Sequence, residues 1–152
     1  MPNDLPSLDS FDQAILRHLA TDGRMSATEL AGRIGLSKSP TMARIKRLET
    51  AGVIAGYAAR LNPIRMGLAH TAFVEVRLSD TREAALRAFN AAVLMIPEVE
   101  ECHMIASRFD YLLKVRTADM TAYRRVLGEH ISALPHLAST STYVAMETVK
   151  EA

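Results

Sequence analysis

The sequence has little of what marks a secreted, membrane-spanning or disordered protein. Cys102 is the only cysteine in 152 residues, so no disulfide can form within one chain, which suits a reducing compartment. Tryptophan is absent, and no apolar run approaches the length of a membrane-spanning helix. Hydrophobic residues make up 49% of the chain, enough for a packed core. We therefore expect a soluble, cytoplasmic protein.

Excess charge is also lacking, because the formal net charge is only +1. The cationic residues are nevertheless concentrated in one segment that contains no acid. These residues are Arg33, Lys38, Arg44, Lys46 and Arg47. A local basic segment in an otherwise balanced chain points to a polyanionic partner.

Three short helices are predicted in the first fifty residues. Asp9, Ser26 and Ser37 are residues that favour helix N-caps, and apolar residues recur at helical spacing after each of them. The tight turn "GLS" between the second and third helices is typical of a helix-turn-helix. The next segment, "VIAGYAARLNP", reads as two short β-like runs that would form a wing. We place this winged helix-turn-helix domain at residues 1–62.

The third predicted helix separates an apolar face from a basic one. Thr41, Ile45 and Leu48 converge on the side that would face the core. Such a helix could enter a major groove, although most basic helices are solvated amphipathic surfaces. The residues that we expect to carry the DNA contact are Lys38, Ser39, Thr41, Met42, Arg44, Lys46 and Arg47.

The remaining residues, 63–152, predict a second domain of class α+β. "HTAFVEVRL" alternates as a half-buried strand does, and helices and strands then follow in the order β-α-β-β-α-β. This is the ferredoxin-like arrangement, an antiparallel sheet with two helices on one face. We expect self-association to cover the other face. Its apolar candidates are Phe73, Leu112, Val144 and Met146.

No motif for catalysis or metal binding is found. The histidines have no metal-ligand spacing, and GxSxG, Walker-type and GxGxxG sequences are absent. We therefore expect neither an enzyme nor a metal or organic cofactor. Asp110 leaves alternatives open: its carboxylate could lie in water, accept the ammonium group of a small ligand, or accept backbone N–H groups of its loop.

Taken together, the chain resembles the Lrp/AsnC (feast/famine) family of transcriptional regulators over nearly its full length. Three stretches carry the resemblance: "LDSFDQAILRHLATDGRMSATELAGRIGLS", "RIKRLETAGVIAGYAARLNP" and "FDYLLKVRTADMTAYRRVLGE". The resemblance implies a winged DNA-binding head and a C-terminal RAM domain that forms dimers. It also implies further assembly, here an octamer of four dimers. The likeness to leucine-responsive members is close, which favours global regulation or regulation of amino-acid catabolism.

The resemblance further implies an amino-acid effector bound in a cleft between RAM domains of neighbouring dimers. Carried over to this sequence, the effector-binding residues are Ala72, Met104, Ala106, Ser107, Arg108, Asp110, Met120 and Tyr143. Ser107 departs from the family's usual glycine, where a positive φ angle could be needed. His136 also replaces a common glycine, which we interpret as a turn variation. The alternative function is a ligand-binding oligomerisation module whose helical head recruits a protein instead of DNA.

Overall fold

The structure is a computed structural model that describes residues 7–151. The chain divides into two compact units between Arg60 and Leu61, two residues before the boundary expected from the sequence. Within the described residues, no helix has the length and apolar character needed to cross a membrane.

The first unit contains the three predicted helices, α1 (Ser10–Thr21), α2 (Ala27–Ile34) and α3 (Lys38–Thr50). One side chain from each helix, Ile15, Leu30 and Leu48, forms the fully buried centre of its core. Gly35 ends α2 with a φ of 72°, a left-handed conformation that glycine adopts without a Cβ clash. The turn into α3 is therefore set by the sequence itself.

The predicted two-stranded wing is not formed. Residues 53–62 contain no strand, and Val53 and Ile54 pack against the helical core instead. The hydroxyl of Tyr57 donates a hydrogen bond to the Glu49 carboxylate at 2.9 Å. A hairpin needs backbone pairing between its two runs, whereas here the apolar residues are used in packing against the helices.

The second unit has the predicted β-α-β-β-α-β order. It comprises β1 (His70–Leu78), α4 (Glu83–Val93), β2 (Val99–Met104), β3 (Tyr111–Thr117), α5 (Met120–Glu129), a short 3-10 helix (Ile131–Ala133) and β4 (Leu137–Val144). All strand pairs are antiparallel, and the strand order across the sheet is β2-β3-β1-β4.

One face of this sheet is buried under α4 and α5. The alternating β1 residues Ala72, Val74 and Val76 lie in this core with Phe89 of α4 and Tyr123 of α5. This confirms the alternation expected for the first strand. The sheet and its two helices are therefore a separate hydrophobic core.

The other side of the sheet, which we call the open face, carries only half of the apolar residues predicted there. Phe73 and Leu112 lie on it, because each alternates with core residues of its strand. Val144 pairs directly with the buried Ala72, so it lies on the helix side of the sheet. Met146 follows the end of β4 and is fully exposed. The prediction was wrong for these last two residues.

Candidate nucleic-acid interface and ligand loop

The outer side of α3 carries five of the seven predicted contact residues in exposed positions: Lys38, Ser39, Met42, Lys46 and Arg47. Among residues 7–151, neither Lys38 nor Lys46 forms an ion pair, so both ammonium groups are available to a polyanion. Ser39 and Ala43 on this side have short side chains, so the helix backbone could come close to the base edges in a major groove.

Thr41 is misplaced in the predicted set. Its side chain is fully buried, and its hydroxyl donates to the backbone carbonyl of Ser37 at 2.9 Å. A buried hydroxyl that is already hydrogen-bonded supports the first turn of α3 and has no surface for a ligand. Thr41 therefore belongs to the core, together with Leu48, which lies two turns further along the same side of the helix.

The two arginines of α3 are held by acids of the first helix and its cap. Arg44 Nη1 lies 2.8 Å from Asp12 Oδ1 and 2.7 Å from Asp9 Oδ2. Arg47 Nη2 also donates to Asp12, through the other carboxylate oxygen. Asp12 is fully buried, whereas the side chain of Arg47 remains 54% exposed. The basic charge noticed in the sequence is therefore partly neutralised within this unit.

The carboxyl of Asp12 stays ionised despite its burial. Burial by itself raises the pKa of Asp12, but hydrogen bonds from Arg47, Arg44 and the Asp9 backbone outweigh it, and the net pKa is lowered. The pKa of Asp9 is also lowered, first by the Asp12 backbone N–H and then by Arg44. Both acids are therefore negatively charged at neutral pH.

Sequence reasoning treated Asp9 as a helix cap and missed Asp12 altogether. The cap is present and reciprocal: the Asp12 N–H donates to Asp9 Oδ1 at 2.9 Å, and the Asp9 N–H to Asp12 Oδ2 at 3.1 Å. A signal for Asp12 existed, because it lies one turn before Ile15 on the buried face of α1. An acid at such a position requires a cationic partner.

The loop of residues 105–110, which carries four of the predicted effector residues and which we call the ligand loop, is closed by backbone hydrogen bonds. The Ile105 N–H donates to the Asp110 carbonyl at 2.8 Å, and the Asp110 N–H donates to the Val76 carbonyl at 2.9 Å. The Asp110 carboxylate accepts from the Leu78 N–H at 2.7 Å. Of the three alternatives for Asp110, the carboxylate thus takes a backbone N–H, here from β1.

The structure brings only part of the predicted effector set together. Arg108 and Tyr143 line one groove of about 380 Å³ on the open face, together with Glu75 of β1. Arg108 Nη2 lies 3.6 Å from the carboxylate of Glu75. Sequence reasoning did not identify Glu75, whose position on an alternating strand gave no distinguishing signal.

The other predicted effector residues lie outside this groove. Ala72 is fully buried in the core, which removes it from any surface site within this chain. Met104 and Met120 are exposed at the end of β2 and the start of α5. Ala106 and Ser107 are exposed in the loop itself.

The backbone strain expected at Ser107 is found at His136. Among the described non-glycine residues, His136 alone has a positive φ, 61°, so Ser107 adopts an ordinary conformation. The His136 carbonyl accepts hydrogen bonds from the N–H and hydroxyl of Ser79, at 2.7 and 3.0 Å. Serine at position 107 therefore carries no φ penalty, whereas the substitution at 136 does.

No group of three or more His, Cys, Asp or Glu side chains is arranged for a metal ion within residues 7–151. The arrangement instead combines a basic helix face in one unit with a hydrogen-bonded loop beside a polar groove in the other. Comparison with known proteins identifies both units. The family model of the AsnC-type helix-turn-helix domain matches residues 8–49, and that of the Lrp/AsnC ligand binding domain matches residues 71–152.

The chain belongs to the Lrp/AsnC family of transcriptional regulators. It is 60% identical over 144 residues to a proline dehydrogenase transcriptional activator from Rhizobium radiobacter, covering 95% of this chain and 92% of that protein. A protein of the same name from Rhodobacter capsulatus is 58% identical and is covered over 94% of its length. The resemblance seen in the sequence is thus confirmed.

The fold of this Lrp/AsnC chain is also that of solved family structures. A transcriptional regulator from Neisseria meningitidis, solved in complex with L-Met, superposes with a TM-score of 0.91 at 32% identity, over 95% of this chain and 94% of that one. The protein is therefore a transcriptional regulator with a helix-turn-helix DNA-binding domain and a C-terminal ligand-binding domain, and not an enzyme.

Proposed function

We propose that this regulator activates transcription of a proline dehydrogenase gene and that proline is its effector. The proposal rests on the two activators of that gene that are 58% and 60% identical to the chain over 144 residues. An activator of proline breakdown is useful when proline is abundant, so the substrate of the induced enzyme is the natural signal. We place its site of action in the cytoplasm, because it belongs to a family of DNA-binding regulators.

The observation that carries DNA recognition is the exposed outer side of α3. Lys38 and Lys46 are exposed and lack ion-pair partners among the described residues, so they can neutralise phosphates. Ser39 and Met42 lie on the exposed surface of the same helix, where they can meet base edges. Arg47 remains accessible enough to take part.

We also infer that two subunits pair through the open face of the sheet. Phe73 is 37% exposed there, and Leu112 lies diagonally from it on β3, opposite Glu75. A second copy could bury both side chains. A symmetric dimer would present two copies of α3 to two half-sites of DNA. Four such dimers would give the octamer expected from the family resemblance.

The effector is proposed to bind near the loop of residues 105–110, where Arg108 and Tyr143 line the groove beside Glu75. The guanidinium of Arg108 can pair with the carboxylate of an amino acid. Glu75 can accept its ammonium group, which in proline is a secondary amine. Both ends of a zwitterion would then meet opposite charge.

The test is a fluorescence-anisotropy titration of labelled promoter DNA from a proline dehydrogenase gene, with unrelated DNA as the control. Titrations at two salt concentrations, with and without proline, leucine or methionine, separate DNA recognition from effector response. We expect tighter binding to the promoter, and a change in that affinity with proline. Equal affinity for both DNAs would contradict the proposed target, and a response to leucine alone would contradict the effector.

Lys46→Ala tests the placement of α3 in the same assay. Loss of one phosphate contact should weaken binding to all sequences and lower the slope of log affinity against log salt by about one per site. Arg87→Ala is the matched control, because it removes the same charge from an exposed position of α4 in the other unit. If both variants behave alike, α3 does not contact the phosphates.

A further inference from the structure

The cluster of two acids and two arginines between α1 and α3 borders a shallow cleft on the flank of α3. The cleft has a volume of about 350 Å³ and is lined by Asp9, Pro40, Ala43, Arg44 and Arg47. Pro40 and Ala43 have short side chains and line the bottom of the cleft. The guanidinium groups of Arg44 and Arg47 line its side. On the Arg47 side of the cleft, guanidinium N–H groups could meet the edge of a base, whereas Asp9 lies on the side paired with Arg44.

The charges of this cluster cancel, since two carboxylates face two guanidinium groups. A neutral cluster contributes little to the long-range attraction of phosphates, which depends on uncompensated positive charge. Its contribution to DNA binding has to come from the direction of hydrogen bonds. That role differs from the one assigned to Lys38 and Lys46.

The hydrogen-bond donors of the two arginines are used unequally. Arg44 directs Nη1 to both acids, and its guanidinium lies 5.4 Å from the centre of the Phe11 ring, so it is fixed between α1 and α3. Within residues 7–151, Arg47 donates through Nη2 alone, to Asp12. A guanidinium carries five N–H donors in one plane, so Arg47 keeps a free pair along another edge.

We propose that Asp12 is a positioning residue for sequence reading: buried beneath α3, it fixes the plane of Arg47 so that its free donors face one base pair. The preferred base is guanine, whose O6 and N7 accept the two parallel N–H groups of an arginine. Arg44 instead links α3 to α1 through its ion pairs with Asp9 and Asp12. The inference rests on the proposed function, because it requires α3 to enter the major groove.

The test compares Asp12→Asn with Asp9→Asn in the intact chain. Both variants remove one negative charge, and asparagine at position 9 keeps an N-cap acceptor. Asp12 contacts Arg47, whereas Asp9 contacts Arg44 alone of the two arginines. The DNA is a duplex selected from random sequences by the wild-type protein, and unrelated duplex is the reference.

For Asp12→Asn we expect the ratio of specific to non-specific affinity to fall about tenfold, the scale of one lost bidentate base contact. Its non-specific affinity should rise slightly, because a negative charge has been removed. Asp9→Asn should show the same slight rise and an unchanged ratio. Equal ratios in the two variants would overturn the inference, since charge alone would then explain the effect.

Arg47→Lys provides a second test in case Asp12→Asn does not fold. It changes an exposed side chain, keeps the charge and removes only the planar pair of donors. We expect it to lower the same ratio while the salt slope stays unchanged, and an unchanged ratio would overturn the inference. If the wild-type protein selects no sequence at all, the proposed DNA recognition fails first, and that outcome is distinct from failure of the positioning role.

Discussion

The carboxylate of Asp110 accepts a hydrogen bond from the backbone N–H of Leu78 at 2.7 Å, across 32 positions of sequence. The Asp110 N–H is bonded at the same time to the carbonyl of Val76. The end of the ligand loop is thereby fastened to β1 through both its backbone and its side chain. The Asp110 carboxylate therefore stabilises the loop even when no ligand is present.

Asp110→Ala should lower the free energy of unfolding by about 1–3 kcal/mol, because the Leu78 N–H loses its charged acceptor in a half-buried position. Scanning calorimetry of the full chain measures the change. Asp110→Asn is the control, since its amide oxygen can still accept this hydrogen bond. The interpretation fails if the asparagine variant is destabilised as much as the alanine variant.

His136→Gly should stabilise the protein by about 1 kcal/mol. The φ of 61° costs a residue with a Cβ roughly that amount, and glycine adopts it freely. Chemical denaturation provides the measurement. His136→Ala removes the imidazole but keeps the Cβ, so the gain should be absent from it; an equal gain in both would point to the ring instead of the backbone.

Acid should weaken the helical unit through Asp12. Because its pKa is lowered on folding, its stabilising contribution is fully present above the unfolded value of about 4 and is lost as the pH falls through the folded pKa. Circular dichroism during urea unfolding at pH 7 and pH 3 follows this loss. In Asp12→Asn, which we expect to be less stable than the wild type at pH 7, the difference between the two pH values should shrink. An undiminished difference would assign the acid sensitivity to other carboxyl groups.

Phe73→Asp should dissociate the proposed dimer without unfolding the subunit. The side chain is 37% exposed on the open face, so a charge there is solvated in the monomer and buried only on pairing. Light scattering after size-exclusion chromatography gives the mass. Met95→Asp is the control, because Met95 is 80% exposed beyond the end of α4. An unchanged mass for Phe73→Asp places the contact elsewhere.

The elements of the fold were predictable because their signals are local. Periodicity located the helices, and the alternation along β1 identified its buried side. The positions that were missed or wrongly placed depend on partners that are distant in sequence. Asp12 is explained only by arginines more than thirty positions away, and Val144 only by its register with Ala72.

The predictions of the wing and of the strained residue were wrong for a related reason. Apolar residues after Gly52 suit a strand as well as a packed loop, and the helical core, which is not visible locally, decides between them. A glycine replaced in a family suggests strain at that position, but the strain depends on the actual backbone. Here it is present at His136 and absent at Ser107.

The strand order β2-β3-β1-β4 leaves the sheet with two unequal edges. On one side, β2 carries Glu100 and Glu101, whose charges discourage the approach of a further strand. On the other, β4 reads "LASTSTYV", a strand with no charge and no proline to block its outer backbone groups. At high concentration, aggregation by strand addition should therefore begin at β4, and a lysine introduced along that edge is the simplest way to keep the protein in solution.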